Sequence, residues 1–383
     1  MARLNDVCIN ITDGSHNPPP GIDFSQHIML SSKNIDDDYI SIDNPRYLSE
    51  EDYQNENRRT DIKKGDLLIT IVGTVGRVAI VPVDLEGICV QRSVAVLKIN
   101  QRIVHNRYLM YQLQNMRPFL EREARGVAQK GIYLKQLSSL SINVPQMDEQ
   151  RRIAAVLDKV SDLIAKRRQQ LDKLDELVKA RFVEMFGDPV SNPMGWNVKT
   201  FEQVSELITD GEHITPRRAG KGIYLLSARN VLNHALQVEN VDYIDEEEYA
   251  RIAKRVVPQV GDVLISCSGS IGRSCVVPPK FRFQMVRSVA LIRFCKNVNP
   301  VYAEWLIASD ATQRQILQSA TQSSQANLFQ SKIRQLYGIF PPKEIQDQFA
   351  AFVAKIYKSK LTIQQSLDKL EVLKKALMQQ YFG

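Results

Sequence analysis

The residues of this chain that come nearest to base-modifying chemistry are Asn17-Pro18-Pro19-Pro20. An adenine methyltransferase needs an aromatic ring after Asn-Pro-Pro or Asp-Pro-Pro, to hold the flipped-out base while the polar side chain bonds its amine. Proline stands where that ring belongs, so the segment reads as an extended loop. No G-x-x-x-x-G-K-[ST] phosphate loop occurs, which leaves ATP-driven translocation without a seat. A metal-dependent nuclease is poorly served too, because Glu-x-Lys is absent and Asp61-x-Lys63 is the single Asp-x-Lys. The five histidines show no metal-ligand spacing. Two of them, His16 and His213, recur within ITDG-x-H, which suggests either a shared loop geometry or a shared contact with phosphate. The expectation is a chain without catalytic or metal-binding residues, and so not an enzyme.

The bulk composition suits that expectation. Cys8, Cys89, Cys267, Cys275 and Cys295 form no C-x-x-C pair, and read as small buried hydrophobes in a reducing compartment. With 383 residues, 44% apolar and 24% charged, the chain has material for two or three packed domains. A net charge of +7 and a pI near 9.0 favour a polyanionic partner, since each phosphate neutralised releases condensed counterions. No run approaches 18 apolar residues, and the opening MARLNDVCINITDG lacks a signal-peptide pattern, so a soluble cytoplasmic protein is expected.

Positioning comes from a sequence written twice, at a spacing of about 196 residues. ITDGSH at 11–16 returns as ITDGEH at 208–213, and KKGDLLIT at 63–70 as QVGDVLIS at 259–266. GTVGR at 73–77 matches GSIGR at 269–273, RSVAVL at 92–97 matches RSVALI at 287–292, and LDKL at 171–174 recurs at 367–370. In each copy the apolar period changes along the chain. LLITIV, GTVG and RVAIVP read as a β-hairpin, repeated by VLISCS, GSIG and RSCVVP. A helix is predicted over about 105–124 and again over about 300–318, before Pro145 and Pro341 open a new element.

That new element is a long helix in each copy. From Ile153 the apolar positions Leu157, Val160, Ile164, Leu171, Leu174 and Val178 keep a 4-3-4 spacing interrupted at Arg167, and the second copy repeats it with interruptions at Lys360 and Lys374. A 3.5-residue period over five heptads is a coiled-coil seam. The competing reading is two amphipathic helices packed on their own domains. Arg167 and Lys360 would either set the register of the seam or pack their stems while the charge reaches water. Some 36 helical residues span about 54 Å, more than the ~34–36 Å of one B-DNA turn. Two similar domains on two similar helices predict a pseudo-two-fold caliper that reads two separated half-sites.

Together the duplicated layout, ITDG-x-H, the G-D-x-L-I strand and the junction MFGDPVSNPMGW at 185–196 resemble the specificity subunits of type I restriction-modification systems. The resemblance covers essentially the whole chain. It implies an α+β fold: two homologous mixed α/β target recognition domains separated by two long antiparallel coiled-coil helices. The expected boundaries are 1–147 for the first recognition domain, 148–187 for the central helix, 188–343 for the second domain and 344–383 for the C-terminal helix. It further implies that each domain reads half of a split double-stranded DNA site, and that the helices set the gap. Modification (methyltransferase) subunits, two of them, and restriction subunits are the implied partners; they carry S-adenosylmethionine, ATP and Mg, and this chain none. A non-functional or exchangeable specificity subunit, or a coiled-coil scaffold, would carry the same framework.

Positions that keep a polar or basic residue in both copies are candidates for DNA-backbone contacts, and basic or amide residues that differ are candidates for base reading. Arg77 and Arg273 follow the glycine turn, within reach of a phosphate or of a surface salt bridge. Arg92 and Arg287 stand in RSVA beside Gln91 and Val286, and arginine to guanine or glutamine to adenine is the usual major-groove pairing. Lys33-Asn34 and Arg229-Asn230 are matched, with the asparagine open to a turn-capping role. Arg217, Arg218 and Lys221 crowd a glycine-containing loop as a phosphate clamp or a solvated basic loop. Gln129, Lys130, Gln325 and Asn327 lie in the loops before the last strand of each domain, where amides suit base edges.

Overall fold

A computed structural model of the protein describes residues 1–124, 130–319 and 327–383. It resolves into two compact units, residues 1–169 with 364–383, and residues 170–363. Both divisions fall inside the long helices, Met147–Phe186 and Lys343–Phe382, so each unit owns the start of one helix and the end of the other.

The two units repeat one sheet topology. In the first, a four-stranded antiparallel sheet runs in the order Cys8–Asp13, Val94–Ile99, Leu67–Thr70, Val78–Ile80. Beside it a three-stranded sheet places His27–Leu30 between Arg46–Leu48 and, in parallel, Ile88–Val90. In the second, the corresponding orders are Ser205–Asp210, Val289–Phe294, Val263–Ser266, Ser274–Val276, and Asp242–Ile244, Ile223–Leu226, Phe283–Met285. The expected hairpins are present, with Leu67 opposite Ile80 and Val263 opposite Val276.

Burial on both faces explains why the hairpin strands are largely apolar, with Thr70, Ser266 and Ser274 as their buried polar residues. Leu67, Ile69, Ala95 and Leu97 join the core shared with the helices, while Leu68, Val94 and Val96 face the smaller sheet. The second unit repeats this with Val263, Ile265, Ala290 and Ile292 on one face, and Leu264, Val289 and Leu291 on the other. Ahead of the strand, the aspartate of the G-D motif closes the turn. Asp66 accepts from Lys63 N at 2.9 Å and Lys98 Nζ at 2.8 Å; Asp262 accepts from Gln259 N at 2.7 Å and binds Arg293 through both oxygens at 2.8 Å.

One expected helix is two. Asn106–Asn115 and Arg117–Glu123 part at Met116, because Pro118 near the start of the second piece has no N–H to continue the ladder. Pro300–Ala308 and Asp310–Ser319 part at Ser309, whose extended backbone ends the first helix and whose hydroxyl meets the N–H of Thr312 at 3.5 Å.

The long helices combine both readings of their periodicity. Within the first unit Ile153, Ala154 and Leu157 enter the domain core together with Leu377, Met378, Tyr381 and Phe382 from the end of the other helix. Within the second, Phe182 and Phe186 pack edge-on to Phe349 at 5.5 and 5.4 Å, and Phe186 against Tyr302 at 4.6 Å. Helix–helix contact is antiparallel in each unit: Arg168 binds Glu371 at 2.7 Å in the first, and Lys360 binds Asp175 at 2.5 Å in the second. Lys360 thus carries its charge onto the facing helix, with its ammonium also 5.8 Å from the Tyr357 ring. The junction after the first helix turns at Gly187, φ +75°, and Trp196 Nε1 donates to Phe186 O at 3.1 Å.

Cys89, Cys267 and Cys275 are buried, and Cys8 and Cys295 half-buried. Desolvation pushes the thiols of Cys89 and Cys267 up to about 12, consistent with apolar packing rather than reactivity. Among the described residues no helix is long and apolar enough to cross a membrane.

Candidate nucleic-acid interface

In each unit several loops meet at one end of the four-stranded sheet, held by backbone hydrogen bonds. The ITDG loop lies against the segment before the central strand. Ser15 N donates to Val90 O at 2.8 Å and Arg92 N to Ser15 O at 2.8 Å. Its counterpart has Glu212 N to Met285 O at 2.8 Å and Arg287 N to Glu212 O at 3.0 Å. Glycine is required there by close approach. A Cβ on Gly14 would sit 1.9 Å from Val90 O, and one on Gly211 2.3 Å from Met285 O.

The turn at Ser31–Asn34 joins the same cluster, Ser32 N donating to Ser93 Oγ at 3.1 Å; in the second unit Ala228 N donates to Ser288 Oγ at 3.1 Å. The hairpin turn reaches it through Gly73 N to Lys130 O at 3.2 Å, and Ser268 bridges to Asn327 in the other copy. These bonds bring together Lys33, Gln91, Arg92 and Lys130 in one unit, and Arg229, Arg287 and Asn327 in the other. Gln129 and Gln325 lie outside the described residues.

The side chains fall into three groups. Lys33, Arg92, Lys130, Lys221 and Arg287 are exposed, and none has an ion-pair partner among the described residues. Others are tied to carboxylates. Arg77 holds Asp36 at 2.7 Å, Arg217 holds Asp245 at 3.0 Å and Glu247 at 2.8 Å, and Arg218 and Arg229 share Asp242 at 3.1 Å each. The pairs of Arg217, Arg218 and Arg229 are exposed and contribute about 0–1 kcal/mol each, while that of Arg77 is half-buried. Arg273 differs from Arg77 because Leu232 replaces Asp36 in the second copy, leaving its guanidinium without that pair. The third group is structural. Asn34 and Asn230 are buried, and their amides are bonded within their own turns. Asn230 Oδ1 accepts from Ser227 N at 2.9 Å and Oγ at 3.1 Å, while Nδ2 donates to Gln237 O at 3.0 Å; Asn34 repeats this with Ser31 and Asp43 O. Their amides serve the loop rather than a base edge. Asn230→Ala is therefore expected to lower stability by about 2 kcal/mol, from three lost hydrogen bonds, with the salt dependence of DNA binding unchanged. A changed salt slope at wild-type stability would assign Asn230 to the ligand instead.

Two arginines were not singled out from the sequence. Arg59 bonds Asp13 of the first ITDG, and Arg255 bonds Asp210 of the second. The same aspartates hold His16 and His213, each at 2.8 Å. Their signal was present: arginine recurs at the repeat spacing, at the end of the helices that begin at Glu50 and Glu246. The Asn17-Pro18-Pro19-Pro20 segment is a loop whose Pro19 carbonyl accepts from Arg46 at 2.6 Å. Among the described residues no three His, Cys, Asp or Glu side chains gather to hold a metal.

A duplicated frame of backbone-bonded loops, carrying basic side chains on equivalent positions with changed neighbours, defines a two-domain recognition protein. The chain belongs to the type I restriction modification DNA specificity domain family, whose model matches residues 25–176 and 193–374. Over 114 residues it is 33% identical to a putative type I restriction enzyme specificity subunit of Methanocaldococcus jannaschii, covering 30% of this chain and 26% of that protein. A second specificity subunit from the same organism is 21% identical over 336 residues, covering 82% of this chain and 76% of the relative. The fold is similar to the crystal structure of the type I restriction-modification S subunit from M. genitalium, with a TM-score of 0.59 at 10% identity, over 100% of this chain and 95% of that one.

Proposed function

We propose that this chain is the DNA sequence-specificity subunit of a type I restriction-modification enzyme. Each unit reads one half of a bipartite double-stranded site, the long helices set the gap and dock the modification subunits, and the chain catalyses nothing itself. On this reading S-adenosylmethionine, ATP and Mg belong to the partner subunits. The observation that carries it is the repeated loop frame with divergent tips. Gln91-Arg92 in one copy and Val286-Arg287 in the other occupy the same backbone position beside ITDG; both arginines are exposed, while Gln91 is half-buried and Val286 packs against Leu225, Ile244 and Ile252. Each long helix has 40 residues, about 60 Å at ~1.5 Å per residue, which exceeds a turn of B-DNA.

Mapping methylated adenines in cells that express the chain with its modification subunits tests this. The expected pattern is two short blocks around a fixed unspecified gap; a single continuous motif, or none, sinks the reading. Within that assay Arg287→Ala is expected to relax one block and spare the other. A bidentate arginine–guanine contact carries about 1–3 kcal/mol, so affinity for the full site should fall roughly 5- to 150-fold. An unchanged motif and affinity would remove Arg287 from base reading.

A further inference from the structure

The ITDG-x-H histidine and the arginine that faces it form a constellation built twice. In the first unit the Asp13 carboxylate, nearly buried, meets His16 Nε2 at 2.8 Å through one oxygen and Arg59 through the other. The donors remain open to solvent, with His16 54% and Arg59 53% exposed. In the second unit Asp210 meets His213 at 2.8 Å through one oxygen and Arg255 through the other, and those donors are 52% and 39% exposed.

Persistence in both copies matters because the residues between and beside them have changed. Ser15 became Glu212 and Asn17 became Ile214, yet aspartate, histidine and the distant arginine all remain. A tie between loop and helix accounts for aspartate and arginine but not for the histidine. The loop is already held by Ser15 N to Val90 O and Arg92 N to Ser15 O, and in the second copy by the matching pair. What histidine adds is a second nitrogen-bearing side chain, about half exposed, on the same carboxylate as the guanidinium.

We propose that Arg59 with His16, and Arg255 with His213, each seat a backbone phosphodiester of duplex DNA. This rests on the DNA-reading function above and names a contact of the same interface. The aspartate orients both donors while leaving N–H groups free on a guanidinium that has five. A phosphodiester offers two unbridged oxygens, one for each donor, and charge-assisted bonds of this kind are the strong ones. The imidazolium form, with both nitrogens donating, spans carboxylate and phosphate. Because Ser15 and Glu212 also hold the backbone of Arg92 and Arg287, a phosphate seated there sets the register of the side chains that read bases. Phosphate contacts position and base contacts specify.

The test uses the full-length chain titrated across salt with two duplexes, one carrying its split site and one of random sequence. Arg59→Gln with Arg255→Gln keeps an amide donor for each aspartate and removes two charges. Affinity should fall by the same factor on both duplexes, and the slope of log K against log salt should shrink by roughly 1.8, at about 0.9 per phosphate. His16→Gln with His213→Gln should give a smaller loss, again equal on both. Arg59→Lys with Arg255→Lys keeps the charges and should retain the wild-type slope. Glutamine variants that bind like wild type overturn the proposal, as does a loss confined to the split-site duplex, or glutamine and lysine variants that fail together. Displacement of DNA by inorganic phosphate at matched ionic strength would mark a free-phosphate site and overturn it too. Wild-type protein that binds neither duplex would overturn the DNA-reading function itself.

Discussion

Replacing Gln346 by leucine is expected to lower the stability of the second unit by about 2–4 kcal/mol, from three hydrogen bonds lost at about 0.5–1.5 kcal/mol each, one of them to the buried Pro341 carbonyl. Gln346 sits at the start of the second long helix and is 1% exposed. Its Oε1 accepts from Asn299 N at 2.8 Å, and its Nε2 donates to Pro341 O at 2.7 Å and Asn297 O at 3.4 Å. Gln150 is its twin, fully buried, with His105 N, Pro145 O and Ile103 O at 2.8, 2.8 and 3.1 Å. One side chain thus fastens each long helix to the loop ahead of a domain helix. Leucine matches the size of glutamine but bonds none of these groups. Trp196 and Trp305, the two tryptophans of the chain, both lie in the second unit, so urea unfolding followed by tryptophan fluorescence reads that unit selectively. An unchanged midpoint for Gln346→Leu would show that the three groups find other partners.

Gly211→Ala should be nearly as costly and more damaging to recognition. The new Cβ would meet a backbone carbonyl at 2.3 Å, and a carbonyl inside a sheet moves far less easily than a side-chain tip. Overpacking of this kind costs about 3 kcal/mol, the upper part of its usual range. The loop must move away from Met285, which withdraws Glu212 O from the Arg287 amide. Affinity for the split site is expected to fall at least roughly tenfold, which needs only about 1.4 kcal/mol of misplacement. Gly14→Ala should do the same to the other half-site. Gly220, with open space around its Cβ position, is the control for stability, and its alanine variant should unfold as wild type does. A Gly211→Ala variant that unfolds as Gly220→Ala does and keeps wild-type affinity would show that the loop does not position the reader.

Repetition at one spacing made the two-domain plan legible without any structure. A sheet buried on both faces writes a continuous apolar run, and a helix of five heptads writes a 3.5-residue period, so both elements were visible at nearly their true places. The site was legible only in part. Arg92 and Arg287 were marked by recurring in RSVA, and their exposure beside ITDG suits the role. The amide role of Asn34 and Asn230 was not decidable from residue type, because the same side chain caps a turn or reads a base, and burial decides which.

Other features depend on contacts that no local pattern records. The pairing of Asp13 with Arg59, or Asp210 with Arg255, joins residues about 46 apart that sit together only once the sheet edge and the helix end are folded against each other. The competition between a coiled-coil seam and helices packed on domains was likewise open, since an apolar stripe reports that a face is covered and not by what. Each unit takes the start of one long helix and the end of the other, an exchange that periodicity cannot express. The amino-acid pattern alone determined duplication, element types and the family they belong to, because those depend on neighbours along the chain. Which donors remain open to solvent and which are spent on the fold was settled by the tertiary structure, because burial and partnership depend on neighbours in space.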